Sequence, residues 1–160
     1  MFTAFLGNPH HTPAWRQSAE EHARWLGLRA EPDTRPVSPG VCFAFAWLLP
    51  GMTAKPALSE SAGYLRLRTA PATVPTEADD NLISIEVAVS SGQIRVTVPP
   101  TTPEPFYAAH DQRGWLLGND LRLLRRWVSA DLDERGLYAW FQYGAIPAPL
   151  TLARQLRYHP

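Results

Sequence analysis

Seventeen residues, LISIEVAVSSGQIRVTV from Leu82 to Val98, restrict the fold of this chain more than any other stretch. Ile83, Ile85, Val87 and Val89 alternate with Ser84, Glu86 and Ala88, a Ser-Ser-Gly-Gln turn follows, and Ile94, Val96 and Val98 resume the alternation. Side chains in a strand point to opposite faces with period two, so this pattern is an antiparallel hairpin with one apolar face. That face needs a second layer over it.

The remaining segments supply the layers. MFTAFLG is a short apolar strand running into the turn Gly7-Asn8-Pro9. Thr12 is placed to cap a helix with Pro13 in its first position, and Trp15, Ala19, His22, Ala23 and Leu26 then recur every three or four residues up to Gly27. VCFAFAWLL, Val41 to Leu49, is a buried strand closed by Pro50-Gly51. YLRLR, Tyr64 to Arg68, sets Leu65 and Leu67 against Arg66 and Arg68 as a half-exposed strand, and RTAPATVPTEADDN reads as a mobile loop. PFYAAH, the turn DQRG and WLLGND form another strand pair, so four consecutive strands are expected as a meander. From Asn119 the period becomes helical, with Leu121, Leu124 and Val128 inward and Arg122, Arg125 and Arg126 outward. A second helix begins at the capping-box-like Asp131-Leu-Asp-Glu134, carries Leu137, Tyr138, Trp140 and Phe141, and stops at Gly144, after which the tail reads as irregular. Strands followed by helices give an α+β domain occupying residues 1–160.

Charge excludes some partners. Fifteen Lys and Arg balance fifteen Asp and Glu, so nothing draws the chain to nucleic acid or to an anionic membrane. The longest apolar run, Val41 to Leu49, is far below the roughly 20 residues of a membrane-spanning helix. The N-terminus lacks the pattern of a secretion signal, which makes a cytoplasmic location the expectation. Cys42 is the only cysteine, so an internal disulfide and a cysteine metal cluster are both excluded. His10, His11, His22, His110 and His159 have irregular spacing with no acid at ligand distance; no metal and no cofactor are expected, and His22 is expected as a core histidine with one hydrogen bond. Most of the six tryptophans sit at core-facing periodic positions and are expected to pack inside.

From about Leu82 to Pro160, half of the chain, the sequence resembles the C-terminal half of the class II glutamine amidotransferase domain at the front of asparagine synthetase-like proteins. In EPFYAAHDQRGWLLGNDLRLL, Pro105, Phe106 and Tyr107 match the Pro-Leu-Tyr of that family. Gly118, Asn119 and Asp120 stand where Ala-Ser-Glu is usual, and Leu121, Arg122 and Leu124 continue into its helix. In GLYAWFQYGAIPAPLTLARQLRYHP, Tyr143, Gly144, Pro147, Pro149 and Thr151 match the exit from the domain. The resemblance implies the N-terminal-nucleophile sandwich, two stacked, mainly antiparallel sheets flanked by helices. It also implies that the domain is the front piece of a longer, ATP-using synthetase. No Ser-Gly-Gly-x-Asp-Ser nucleotide loop occurs in these residues.

Active members of the family carry cysteine directly after the initiator methionine, its thiol attacking the glutamine amide and the terminal amine serving as base. Phe2 holds that position here, and a phenyl ring supports neither role. The family's Asn-Gly-Glu-Ile-Tyr-Asn stretch has no counterpart between Pro50 and Asp80, and Val98-Pro99 replaces the usual Arg-Asp. The resemblance therefore implies a catalytically inactive glutaminase-like scaffold of an amide-forming enzyme. Its expected contact with a synthetase domain or subunit is the aromatic helical end, Tyr138, Trp140, Phe141 and Tyr143. A homodimer stays open. Thr3 as a nucleophile after removal of two residues is one alternative, against its plainer place as a strand residue. A free-standing module binding a small molecule or a protein is the other. Cys42, inside VCFAFAW, is expected as a buried small hydrophobe.

Overall fold

Large and small residues alternate along Val41–Leu49, and this sets the order of the layers. Phe43, Phe45 and Trp47 point to one side, Cys42, Ala44, Ala46 and Leu48 to the other, and all seven are buried. A strand covered on both faces has no need of polar alternation. The aromatic side faces a second sheet, whereas the small side lets a helix approach closely.

The structure, a computed structural model, describes residues 1–49, 56–61, 63–71, 83–99, 105–128 and 131–159. In chain order it contains β1 (Phe2–Gly7), α1 (Thr12–Trp25), β2 (Arg29–Ser38), β3 (Val41–Leu49), β4 (Pro56–Ser61), β5 (Tyr64–Pro71), β6 (Ser84–Ala88) and β7 (Ile94–Thr97). These are followed by β8 (Phe106–Asp111), β9 (Gly114–Gly118), α2 (Leu121–Trp127), α3 (Glu134–Tyr143) and β10 (Leu156–His159). A six-stranded sheet runs β10-β8-β9-β1-β3-β2, a four-stranded sheet runs β4-β5-β6-β7, and neighbouring strands are antiparallel throughout. The protein is an α+β sandwich of two antiparallel sheets.

Between the sheets, Phe2, Ala4 and Leu6 of β1 join Phe43, Phe45 and Trp47 against Leu65, Leu67, Ile83, Ile85 and Val87. On the opposite side of the six-stranded sheet, Trp15, Ala19 and Ala23 of α1 and Leu123, Leu124 and Trp127 of α2 pack on Phe5, Ala44, Ala46 and Leu116. Each large side chain buried in this way contributes about 1.5–3 kcal/mol. The outward face of the four-stranded sheet carries exposed Tyr64, Arg66 and Arg95, so it is polar.

Several expectations are corrected. The four consecutive strands do not form a meander: β6 and β7 close one sheet, whereas β8 and β9 belong to the other. Thr12 does not cap α1 but is its first residue, and its hydroxyl meets Cys42 Sγ at 3.0 Å; the side chain of Asn8 caps the preceding 3-10 turn instead. Leu121 is exposed, and Leu123 takes the inward position in α2. Asp133, not Asp131, caps α3. The tail is not irregular to its end, because β10 pairs Leu156 with Ala109 and His159 with Phe106. Arg68 to Pro71 belong to β5 rather than to a loop, and residues 72–81 lie outside the described residues, as does the Pro50-Gly51 turn. Trp15, Trp47 and Trp127 are buried, but Trp25, Trp115 and Trp140 are exposed, so packing accounts for only half of the tryptophans.

Candidate functional site

β1 is a central strand, hydrogen-bonded to β3 on one side and β9 on the other, and its first residue is Phe2. The Phe2 ring lies 5.6 Å from Trp47 and 6.5 Å from Phe106, and the residue is only 1% exposed. Its N–H donates to Asn119 Oδ1 at 2.8 Å, and its carbonyl accepts from the Asn119 N–H at 3.4 Å. The terminal amine of Met1 faces the Leu48 carbonyl at 3.5 Å. The beginning of the chain is thus held by aromatic packing and by the segment that enters α2. Such a bed excludes water, and it presents no thiol, hydroxyl or carboxylate at Phe2.

Thr3, the alternative nucleophile, is fully buried, and its hydroxyl has no hydrogen-bond partner among the described residues. Cys42 is buried beside Thr12, where its thiol sits in a small polar contact inside an otherwise apolar layer. His10 and His110 lie at the surface, whereas His22 is buried. No group of three or more His, Cys, Asp or Glu side chains among the described residues is arranged to hold a metal ion. No helix among them is long and apolar enough to cross a membrane.

His22 is a core histidine with a hydrogen bond, as the helical spacing indicated. Its partner is Asp120, which the sequence marks only through the match to the family's Ala-Ser-Glu and not as an acid for His22. The His22 Nε2 is 2.9 Å from Asp120 Oδ2, and both residues are almost fully buried. Asp120 also caps α2 through the Arg122 N–H and receives the Arg122 guanidinium on both oxygens. Burial alone would raise the Asp120 carboxyl, but the hydrogen bonds from Arg122 and His22 outweigh it and hold its pKa at about 2. The ionised carboxylate is an acceptor only, so Nε2 carries the proton between them. Trp25 lies 5.7 Å from the His22 ring, with the Arg122 and Arg126 guanidinium groups over its own ring at 5.5 and 5.8 Å. This cluster ties α1 to the start of α2. The ring of His22 is sealed from solvent, which keeps the pair from acting on a substrate.

The aromatic end of the chain has the opposite character. Only Gly136 and Ala139 of α3 are buried, while Tyr138, Trp140, Phe141 and Tyr143 are 66, 51, 79 and 72% exposed. Gly144 ends the helix in the left-handed conformation at φ 69°, which glycine adopts without strain. The helix base is well anchored. A Cβ on Gly136 would overlap the Thr151 carbonyl oxygen, Asp133 N–H donates to Leu152 O at 2.9 Å, and Arg157 reaches Asp133 Oδ2 at 3.3 Å. Leu132 and Leu152 beside that base are exposed as well. An ordered helix that aims four aromatic rings at water presents a surface of the kind that other proteins cover.

Comparison of the chain with family models, with curated proteins and with solved structures returns no match.

Proposed function

We propose that this protein is a catalytically silent glutaminase-like domain that supports an asparagine synthetase-like, ATP-dependent amide-forming enzyme in the cytoplasm. The observation that carries the reading is the burial of Phe2 between Trp47 and Phe106 at the position where the resembled family places its nucleophile. A site that had lost only its thiol would keep an accessible pocket at the start of β1; an aromatic pair fills that space here. The group that would attack glutamine is replaced by core, and the strand serves the stability of the sandwich. The exposed aromatic side chains of α3 suit the second part of the role, contact with the synthetase domain.

The test is release of ammonia and glutamate from L-glutamine by the purified chain, with mass spectrometry of its N-terminus on the same sample. The expected result is no release above a denatured control, with Met1 or Phe2 still at the terminus. Release by a chain that begins at Thr3 would overturn the proposal.

A further inference from the structure

The two sheets have six and four strands, and β8, β9 and β10 of the wider one face the side of β7, the last strand of the other among the described residues. An apolar cleft of about 490 Å³ opens there, lined by Ile94, Val96 and Val98 and, on the facing sheet, by Phe106, Leu117 and His159. The inward side chains of β7 are only half-buried, although they belong to the core face. One more strand beside β7 would roof the cleft.

The backbone of β7 is phased to accept that strand. Ala88 N–H donates to Gln93 O at 2.9 Å, and antiparallel pairs alternate between bonded and non-bonded. Continuing the alternation along the register, Glu86–Arg95 and Ser84–Thr97 are bonded pairs. The N–H and C=O groups of Ile94 and Val96 therefore point away from β6, toward the side on which no strand among the described residues pairs with β7. Directly opposed residues share a face, so an added strand would direct the side chains opposite Ile94 and Val96 into the cleft.

Charge on the other face selects the residue between them. Arg66, Glu86 and Arg95 lie in one cross-strand row, and Arg66 Nε donates to Glu86 Oε1 at 2.7 Å. Arg95 has no ion-pair partner among the described residues, so the row ends on an unmatched cation. The next position in that row suits a carboxylate. A second copy of this chain fits less well: antiparallel pairing of Ile94 with Val96 of the copy would set Arg95 directly opposite Arg95, and like charges in that position repel.

The geometry points to β7 as a docking edge for an extended peptide segment of pattern apolar-acidic-apolar, added antiparallel, with its two apolar side chains in the cleft and its carboxylate on Arg95. This site is separate from α3 and does not depend on the scaffold reading.

The probe is a fluorescein-labelled Ser-Thr-Val-Glu-Val-Thr-Ser peptide titrated with the full chain and followed by anisotropy. Saturable binding is expected. Val96→Pro removes an N–H that points to the open side and leaves the β6–β7 bonds in place, so it should weaken binding about tenfold with an unchanged circular dichroism spectrum. Arg95→Glu should weaken binding of the same peptide and favour its Val-Lys-Val version over the original, a reversal that loss of folding would not produce. The proposal is overturned by absence of saturable binding, by binding that ignores both substitutions, or by a dimer in sedimentation that Val96→Pro dissolves, which would give the edge to a second copy.

Discussion

α1 and α3 use the same kinds of residue for opposite ends. Along α1, Trp15, Ala19, His22 and Ala23 form a buried stripe, while charged and polar residues and the ring of Trp25, at the helix end, face water. Along α3, the small residues Gly136 and Ala139 face inward and the aromatic ones face outward. Aromatic side chains bring a large apolar area wherever they sit. In Trp15 of α1 that area stabilises the fold; in α3 it remains exposed and can stabilise an association. The contrast separates the residues that hold this protein together from those available to a partner, and substitutions in the two helices should behave accordingly.

The largest effect is expected from Trp15→Ala. The side chain is 2% exposed in the layer between α1 and the sheet, and its removal should cost about 3–5 kcal/mol. Trp140→Ala, at 51% exposure in α3, should cost less than about 1 kcal/mol. Urea unfolding of both variants checks this through the shift in midpoint at constant slope. Equal losses would abolish the distinction between the helices.

Next comes Asp120→Ala, which removes the cap of α2 and leaves His22 buried without its partner, for about 2–3 kcal/mol. The same carboxylate sets a pH dependence. Its pKa is lowered from 3.8 to about 2 on folding, so the stabilisation is present above the ordinary value and is lost as pH falls through the folded one. Asp111, where hydrogen bonds from Arg113 outweigh burial, and Asp133, where those from Arg135 and Arg157 do, are lowered as well and act in the same direction. Unfolding measured from pH 5 to pH 2 should show stability falling below about pH 4, and Asp120→Asn should flatten part of that fall.

These residues also show what the sequence could reveal. Strict alternation made β6 and β7 legible, and the large-small pattern of VCFAFAW marked β3, because both depend on side chains near one another in the chain. The burial of His22 was legible from helical spacing, but Asp120 lies 98 residues away and carries no sign of its partner. β2 was hidden by Pro32, Pro36 and several charges, which an edge strand tolerates because only one side must pair. β10 was hidden because its order comes from pairing with β8 rather than from its own pattern. The apolar register of β1 was evident, whereas the bed of Trp47 and Phe106 around Phe2 exists only once three distant strands meet. The edge of β7 and its cleft were equally invisible, since they arise from the unequal widths of the two sheets.

Gly136→Ala tests the anchoring of α3 without touching its exposed aromatic residues. The added methyl would meet the Thr151 carbonyl, a backbone atom that cannot rotate aside, so α3 and the 151–153 segment must separate. A cost of about 1–3 kcal/mol is expected. It should appear in hydrogen exchange as faster opening of the amides of α3, with those of β1 and β3 unchanged.

The smallest effect on stability, and the most informative about function, is expected from Phe141→Ser. At 79% exposure the ring makes little of the core, and the substitution should move unfolding by no more than about 0.5 kcal/mol. If α3 is the contact surface, the same change should sharply weaken co-purification with a synthetase domain expressed as a separate chain, because a few aromatic residues carry most of the energy of such contacts. Tyr138→Ser should act in the same direction, since the two residues lie three positions apart on the helix and are neighbours on its surface. A variant that keeps its stability and loses the association would assign the exposed aromatic residues to the partner. A variant that loses neither would leave α3 a helix whose exposed rings have no part in assembly, and the support function would have to rest on another face of the sandwich.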